Sequence, residues 1–231
     1  MFFALRPREA VLSDSNPELI NTYSQIKSNV ERVIEELNLH QAEHSKNHYY
    51  AVRANPPKEL TPRAAWFLYL NRTCYNGLWR VNSKGRFNVP MGSYKNPRIV
   101  DPEKLRRASK ALRNARIVCA DFESVVTRLR PRPVFGDVVY FDPPYVPLSK
   151  TSQFTSYTKE DFTEEDQRRL AQVATSLNEK GVRVILSNSE TPLIRTLFQD
   201  PPFSTEVVHM SRAISSVGSG RGKIPELLVH N

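Results

Sequence analysis

The stretch Asp137-Val138-Val139-Tyr140-Phe141-Asp142-Pro143-Pro144-Tyr145-Val146 decides the fold class. Its first half is short, β-branched and aromatic, the composition of a strand covered on both faces. It then stops at a carboxylate, two prolines and an aromatic ring. In an open α/β sheet, ligands bind beyond the carboxyl ends of the strands, so a site is expected at Asp142. The chemistry agrees. Asp142 offers acceptors, the prolines fix the backbone and leave carbonyls without a competing N–H, and Tyr145 offers a flat face for a planar ring. Together they would hold an amino-bearing heterocycle. The plainer reading is a strand followed by a tight Pro-Pro turn, and a motif this short also arises by chance. The flanking sequence has to decide.

The chain has 231 residues, enough for a sizeable core in one domain with an insertion. No apolar run approaches the roughly 18 residues of a membrane span. Arg6 and Arg8 follow the apolar Phe2-Phe3-Ala4-Leu5 instead of preceding it, unlike a secretory leader. Cys74 and Cys119 are too few for a disulfide framework or a zinc site and read as reduced thiols of a cytoplasmic protein. Lys and Arg number 33 against 24 Asp and Glu, a net charge of +9. That excess favours a polyanionic partner, most simply nucleic acid, although a solvated basic surface would look the same.

Upstream, residues 10–14 form a short apolar run ending in Asp14. Asn16 is a good N-cap and Pro17 suits the first helical position. Leu19, Tyr23, Ile26, Val30, Val33 and Leu37 then follow at spacings of four and three, which predicts one helix to about Leu37. A strand leading into a helix is half of a βαβ unit, and an acid at such a strand end commonly holds ribose hydroxyls. Taken alone, Asp14 reads more simply as a turn or cap aspartate. Residues 40–60 are polar and read as a connection. Its His40, His44 and His48 have a metal-like spacing but no carboxylate or cysteine placed to help, so no metal is expected.

A second helix opens at Thr61-Pro62 and runs into Asn71-Arg72-Thr73-Cys74-Tyr75-Asn76-Gly77-Leu78-Trp79-Arg80. After it, Ser83-Lys84-Gly85 reads as the turn of a hairpin that ends at Phe87-Asn88-Val89-Pro90. Arg, Lys and Asn alternate here with Tyr, Trp and Phe. Arg and Asn reach base edges with two hydrogen bonds each, while Lys and Arg neutralise phosphates. The density of such residues favours DNA contact over a plain polar hairpin.

Asp101-Pro102 starts a basic helix, and Ile117-Val118-Cys119 is a strand ending near Asp121. Beyond the central motif, residues 147–160 form a polar loop that could close over a substrate. Thr163 caps a helix that stops at Gly181, and Val182–Leu186 is a buried strand with Ser187-Asn188-Ser189 beyond it. A short helix follows Thr191-Pro192. Thr205–Met210 and Ile224–Val229 are the last strands, antiparallel, and the linker between them carries glycines and cations suited to phosphate. The order predicts an α/β sandwich with an antiparallel edge and a mostly helical insertion near residues 55–115.

With these residues assembled, the chain resembles the Dam-like (D12 class) DNA adenine N6-methyltransferases. The resemblance rests on Ser13–Ile20, Asn71–Gly92, Gly136–Tyr145 and Gly181–Ser189, and on Arg212–Ser216 with Arg221-Gly222 and Glu226-Leu227-Leu228. The most specific stretch is Asn71–Pro90. It implies a Rossmann-like S-adenosyl-L-methionine-dependent sheet with an antiparallel last strand. The catalytic domain would be residues 1–54 and 116–231, with a target-recognition region at 55–115. Asp142 and the Pro143 carbonyl would accept from the adenine amino group, and Tyr145 would stack on the flipped base. Asp14, Asp121, Phe122 and Asp142 would border the cofactor. Asn71, Arg72, Asn76, Arg80, Asn82, Lys84, Arg86, Asn88 and Arg221 would face double-stranded DNA, with GATC the leading site. A restriction endonuclease acting on the same site would be the natural partner.

The family pattern places a strand and a Gly-rich loop before Phe2-Phe3-Ala4-Leu5, and this chain starts after both. The expectation is therefore a sheet missing its first strand, weak cofactor binding and low stability. Asp-Pro-Pro-Tyr also accompanies cytosine N4 chemistry, and a DNA-binding module without catalysis remains a reading from another class.

Overall fold

The computed structural model describes residues 1–146, 162–211 and 223–231. They fall into two compact units, one covering Met1–Asp121 and the other beginning at Phe122. This is a division by packing, whereas the division expected at 55–115 is one of role. The architecture is mixed α/β.

In the first unit a helical turn, Phe2–Leu5 (α1), precedes the strand Ala10–Asp14 (β1). β1 pairs in parallel with Ala115–Cys119 (β2), and Asp14 stands opposite Cys119 at the carboxyl end of both. Asn16 caps the helix Pro17–Ser28 (α2), its Oδ1 accepting from the Glu18 N–H at 3.0 Å and the Leu19 N–H at 3.4 Å. The single helix expected to reach Leu37 instead breaks at Asn29 (φ −137°), where Val30–Ala42 (α3) begins. The Asn29 side chain donates to Gln25 Oε1 at 2.8 Å, a local bond that competes with helix continuation. A one-residue break is invisible in the spacing, because Ile26, Val33 and Leu37 remain buried on both sides of it.

The expected connection at 40–60 holds a further helix, Lys46–Ala54 (α4). Ser45 Oγ caps it by accepting from the His48 N–H at 3.1 Å, and Tyr49 is fully buried. Leu60–Thr73 (α5) lies at the centre of the first unit's main core, with Ala64, Ala65, Trp66, Phe67, Tyr69 and Leu70 buried. Asp101 caps the basic helix Pro102–Leu112 (α6) through the Lys104 N–H at 3.1 Å.

The histidines close a hydrogen-bonded cluster over Tyr69. His40 Nδ1 lies 3.1 Å from His48 Nε2, His48 Nδ1 lies 3.1 Å from Glu43, and His44 Nδ1 lies 3.0 Å from the Tyr69 hydroxyl. The His40 ring stacks on Tyr69 with centroids 4.7 Å apart. Burial, and secondarily His48, push the His40 pKa down to about 4 against an opposing pull from Glu43. A folded-state value below the unfolded one means that the unfolded chain binds more protons. This contribution is therefore complete above about pH 6.5 and is lost as the pH falls toward 4. We expect a stability loss on the order of 1–2 kcal/mol across that window, discounted for partial solvent screening. The loss should shrink in His40→Phe, with urea denaturation between pH 4.5 and 7.5 as the measurement.

The second unit starts with the short helix Phe122–Thr127 (α7) and the strand Val138–Phe141 (β3). Thr163 and Asp166 form a reciprocal capping box for Glu164–Glu179 (α8), which buries Leu170, Val173, Ala174 and Leu177. Burying each leucine contributes roughly 1.5–3 kcal/mol. Gly181 (φ +69°) ends the helix in a left-handed turn, after which the Val182 N–H donates to Leu177 O at 3.1 Å. Arg183–Ser189 (β4) takes in Ser187-Asn188-Ser189, which the sequence placed beyond the strand. Thr191 caps Pro192–Leu197 (α9). Ser204–Ser211 (β5) and Lys223–His230 (β6) pair antiparallel.

The strands described form a two-stranded sheet, β1-β2, and a four-stranded sheet ordered β3-β4-β6-β5. β3 and β4 are parallel, and β6 runs antiparallel to both of its neighbours. The expectation that β3 is covered on both faces fails. It ends its sheet, and Val138 and Tyr140 are 55% and 41% exposed. Among the described residues no helix is long and apolar enough to cross a membrane. The expected loop at 147–160, Arg221 and the matching residues 212–216 lie outside the described residues.

Candidate active site

The central motif sits where the parallel pair β3/β4 ends. Phe141 lies opposite Leu186 in the register, so Asp142 leaves the strand beside Ser187. Ser187 Oγ donates to Asp142 Oδ1 at 3.1 Å. Because serine has a single O–H, the 3.0 Å contact between the Tyr140 hydroxyl and Ser187 Oγ has tyrosine as its donor. Tyr140, Ser187 and Asp142 thus form a directed chain ending on an exposed carboxylate, most of whose lone-pair capacity remains for a ligand.

Tyr145 is anchored at its far end, where the hydroxyl donates to Glu226 Oε2 at 3.3 Å. Burial first, and then the Asp142 and Glu226 charges, push the phenol up to about 12, so it stays neutral and its ring face keeps one orientation. The turn between the two functional side chains is held from below. Gln167 Nε2 donates to Pro144 O at 3.0 Å, and the Val146 N–H donates to Asn188 Oδ1 at 3.1 Å. Phe122 packs edge-on against Phe141, centroids 6.4 Å apart, with the Arg169 guanidinium 4.8 Å over its ring.

Asp14 and Asp121 belong to the first unit. The Asn16 N–H donates to Asp14 Oδ1 at 2.7 Å, and the Ala120 N–H donates to the Asp14 carbonyl at 3.2 Å. The carboxylate's field is felt nearby. Burial and, after it, Asp14 raise the pKa values of Tyr23 and Cys119. Asn16 is buried, yet its Nδ2 finds no hydrogen-bond partner among the described residues.

The basic segment also lies in the first unit and has two sides. Its inner side is aromatic. Trp79 packs on Phe67 (4.3 Å between centroids) and Phe87 (4.8 Å), and Trp66 borders both Trp79 and Phe87. Val89 O accepts from the Tyr49 hydroxyl at 2.9 Å and from Arg53 at 3.0 Å, which docks the segment on α4. The turn expected at 83–85 is present, with Val81 bridged to Phe87 and Gly85 (φ +71°) closing it.

The residues expected to face DNA divide by geometry. Arg72, Lys84 and Arg86 are exposed. Asn82 Oδ1 accepts from the Lys84 and Arg86 N–H groups, both at 3.0 Å, and so builds the turn. Arg80 Nε donates to Asn88 Oδ1 at 2.8 Å, and Asn71 Nδ2 donates to Gly77 O at 2.9 Å, holding a 3-10 turn in which Asn76 takes φ +54°. Asn71, Arg72 and Asn76 line an open groove of about 360 Å³ with Tyr94, Pro97 and Arg98.

Residues 1–214 match the family described as D12 class N6 adenine-specific DNA methyltransferase. The chain belongs to this family. It is 46% identical to the type II methyltransferase M1.LlaDCHI of Lactococcus lactis subsp. cremoris, over all of this chain and 82% of that protein. It is 42% identical to the type II methyltransferase M.MjaIII of Methanocaldococcus jannaschii, over all of this chain and 84% of that one. Identity to the DNA adenine methylase of Escherichia coli K12 is 39%, covering 94% of this chain and 77% of that protein.

For a D12 class methyltransferase, sequence reasoning passed over two sets of residues. Tyr94 and Arg98 were missed because Gly92–Arg98 has no periodicity. Gln167 was missed although it carried a signal: it continues the inward stripe of Leu170 and Ala174, where a buried amide must have partners.

Proposed function

We propose that this D12 class enzyme methylates N6 of adenine in duplex GATC, with S-adenosyl-L-methionine as donor, after flipping the base out of the helix. The observation that carries the reading is the Asp142-Pro143-Pro144-Tyr145 turn at the end of β3, with its carboxylate held by Ser187 and its ring held by Glu226. An adenine amino group presents two N–H donors and no useful acceptor. Asp142 and the Pro143 carbonyl supply two acceptors, and Tyr145 supplies the stacking face. As N6 gains its methyl group it must lose a proton, and on this reading the Asp142 carboxylate takes it. The base cannot reach these groups while stacked in the duplex, which is why flipping is required.

The donor set fits the cofactor as well. Asp14 accepts and the buried, unpartnered Asn16 Nδ2 donates, which matches the two-way hydrogen bonding of ribose hydroxyls. Asp121 and Phe122 would border its adenine. When bound, S-adenosyl-L-methionine supplies a sulfonium methyl group, the carbon electrophile of the reaction. The Rossmann-like reading of the fold is supported by the parallel pairs β1/β2 and β3/β4 and by antiparallel β6.

We read residues 55–115 as the target-recognition region and residues 1–54 with 116–231 as the catalytic domain. Arg72, Lys84 and Arg86 take the direct DNA contacts, Arg221 adding a phosphate contact. Asn71, Asn76, Arg80, Asn82 and Asn88 shape the surface that presents them. Replacing Lys84 and Arg86 together with glutamine should lower the salt dependence of DNA binding by about two units of log–log slope. The change should be uniform across sequences, measured by fluorescence anisotropy from 50 to 300 mM salt.

The type II names of two relatives support a cytoplasmic restriction-modification role, with an endonuclease partner that cuts the same site. The test of the whole reading is direct. DNA from cells expressing the chain should resist a nuclease that cuts only unmethylated GATC, and duplexes with the target adenine replaced by thymine should accept no methyl group. Resistance at another site would overturn GATC alone. Methyl groups on cytosine would overturn the base assignment.

A further inference from the structure

We propose that Gln167 and Asn188 form a directional amide relay that selects the Pro143 carbonyl as the acceptor facing the substrate amino group. The proposal rests on reading the Asp142–Tyr145 turn as the adenine site. Both side chains are buried, Gln167 at 3% exposure and Asn188 at 0%. A primary amide in that position is costly unless each end is matched, and here each end is.

The polarity of the relay follows from its anchored end. Asn188 Oδ1 accepts from the backbone N–H of Val146 at 3.1 Å and from that of Ser189 at 2.8 Å. Its Nδ2 therefore faces Gln167 and donates to Oε1 at 3.0 Å. That leaves Gln167 Nε2 to donate to Pro144 O at 3.0 Å. Turning either amide over would set two donors or two acceptors face to face, so the direction is fixed.

The relay grips the turn at two backbone points, Pro144 O and the Val146 N–H, one on each side of Tyr145. Pro143 and Pro144 have no N–H, so their carbonyls are the only backbone handles in this part of the turn. Gln167, buried on α8, holds Pro144 O toward that helix and takes one of its lone pairs. An amino group that needs a second acceptor beside Asp142 is thereby directed to the other, Pro143 O. Gln167 and Asn188 touch no substrate in this scheme; they are positioning residues acting through the turn. An error of about 1 Å in such a turn is enough to cost on the order of 100-fold in rate.

The experiment compares wild type, Gln167→Met, Gln167→Asn and Val173→Ala. Methionine keeps the length of glutamine without a donor. Asparagine keeps an amide for Asn188 but falls one methylene short of Pro144 O. Val173→Ala removes buried volume from the same face of α8 without touching the relay. Two readouts are needed: the single-turnover methylation rate, and the affinity ratio between a duplex carrying adenine at the target and one carrying purine, which lacks the amino group.

For wild type we expect adenine to be preferred by roughly 10-fold, the worth of one or two hydrogen bonds. In both Gln167 variants the preference should fall to about three-fold, Asp142 still accepting, and the rate should drop roughly 10- to 100-fold, with affinity for the purine duplex held within about two-fold. Val173→Ala should lower the melting temperature while keeping the preference. A Gln167 variant that discriminates adenine from purine as well as wild type does overturns the relay. So does one that loses affinity for both duplexes in step with its melting temperature. A wild-type chain that neither discriminates nor transfers overturns the adenine-site reading itself, an outcome distinct from the other two.

Discussion

Asp142→Ala should reduce methyl transfer by roughly 1,000-fold or more while lowering affinity for the target duplex by no more than about 10-fold, the worth of its hydrogen bonds to the amino group. On the proposed reading the carboxylate orients N6 and accepts the proton it releases. Ser187, its partner at 3.1 Å, is a donor and cannot take over. Asp142 lies outside the basic segment of the first unit, so the phosphate contacts that dominate affinity are untouched. Asp142→Asn separates the two duties: the amide oxygen still accepts but carries no charge, and a loss of about 10- to 100-fold is expected. Single-turnover assays with saturating enzyme measure the rates, and anisotropy at fixed salt measures the affinity. An alanine variant within three-fold of wild type would remove Asp142 from the chemistry. A chain in which neither form transfers methyl groups, yet both bind DNA with equal salt dependence, would be a binding module.

The largest effect on stability is expected from Trp66→Ala, about 3–5 kcal/mol by urea denaturation. Trp66 is 4% exposed, its indole N–H donates to Val52 O at 2.8 Å, and its ring borders Trp79 and Phe87. Truncation empties the space between α5 and the basic segment and removes one of the two donors to the Val52 carbonyl, which keeps only the Asn55 N–H at 3.3 Å. Trp66→Phe should recover most of the loss, the missing hydrogen bond costing about 1 kcal/mol. The alanine variant should also bind DNA more weakly, because the aromatic seam is what holds Lys84 and Arg86 in place. A cost under 1 kcal/mol would show that the segment is held from α4 alone, by Tyr49 and Arg53 on Val89 O.

The features legible in the sequence were those with a local cause. Asn16, Asp101, Thr163 and Thr191 announce helix starts because capping is a matter of a few adjacent atoms, and all four cap as read. The Asp142–Tyr145 turn was legible for the same reason. What escaped depends on partners distant in sequence. Gln167 acquires its meaning from Pro144 and Asn188, 23 and 21 residues away. α4 was hidden because its polar surface masks the one buried side chain, Tyr49, that ties it to the core. Asn71, Asn82 and Asn88 were read by residue type as DNA contacts, and the internal bonds that one atom of each amide makes were not legible in that type.

The open side of β3 has a consequence for handling the protein. Among the described residues β3 has a strand neighbour on one side only, and a strand edge left unpaired presents a row of backbone donors and acceptors that another chain can match, the usual starting point of edge-to-edge aggregation. At low ionic strength the net charge of +9 keeps copies apart. Added salt removes that protection as it weakens the hold on DNA. The same buffer change that frees the protein from nucleic acid therefore brings it closer to precipitation, and colloidal stability and DNA release pull the choice of ionic strength in opposite directions.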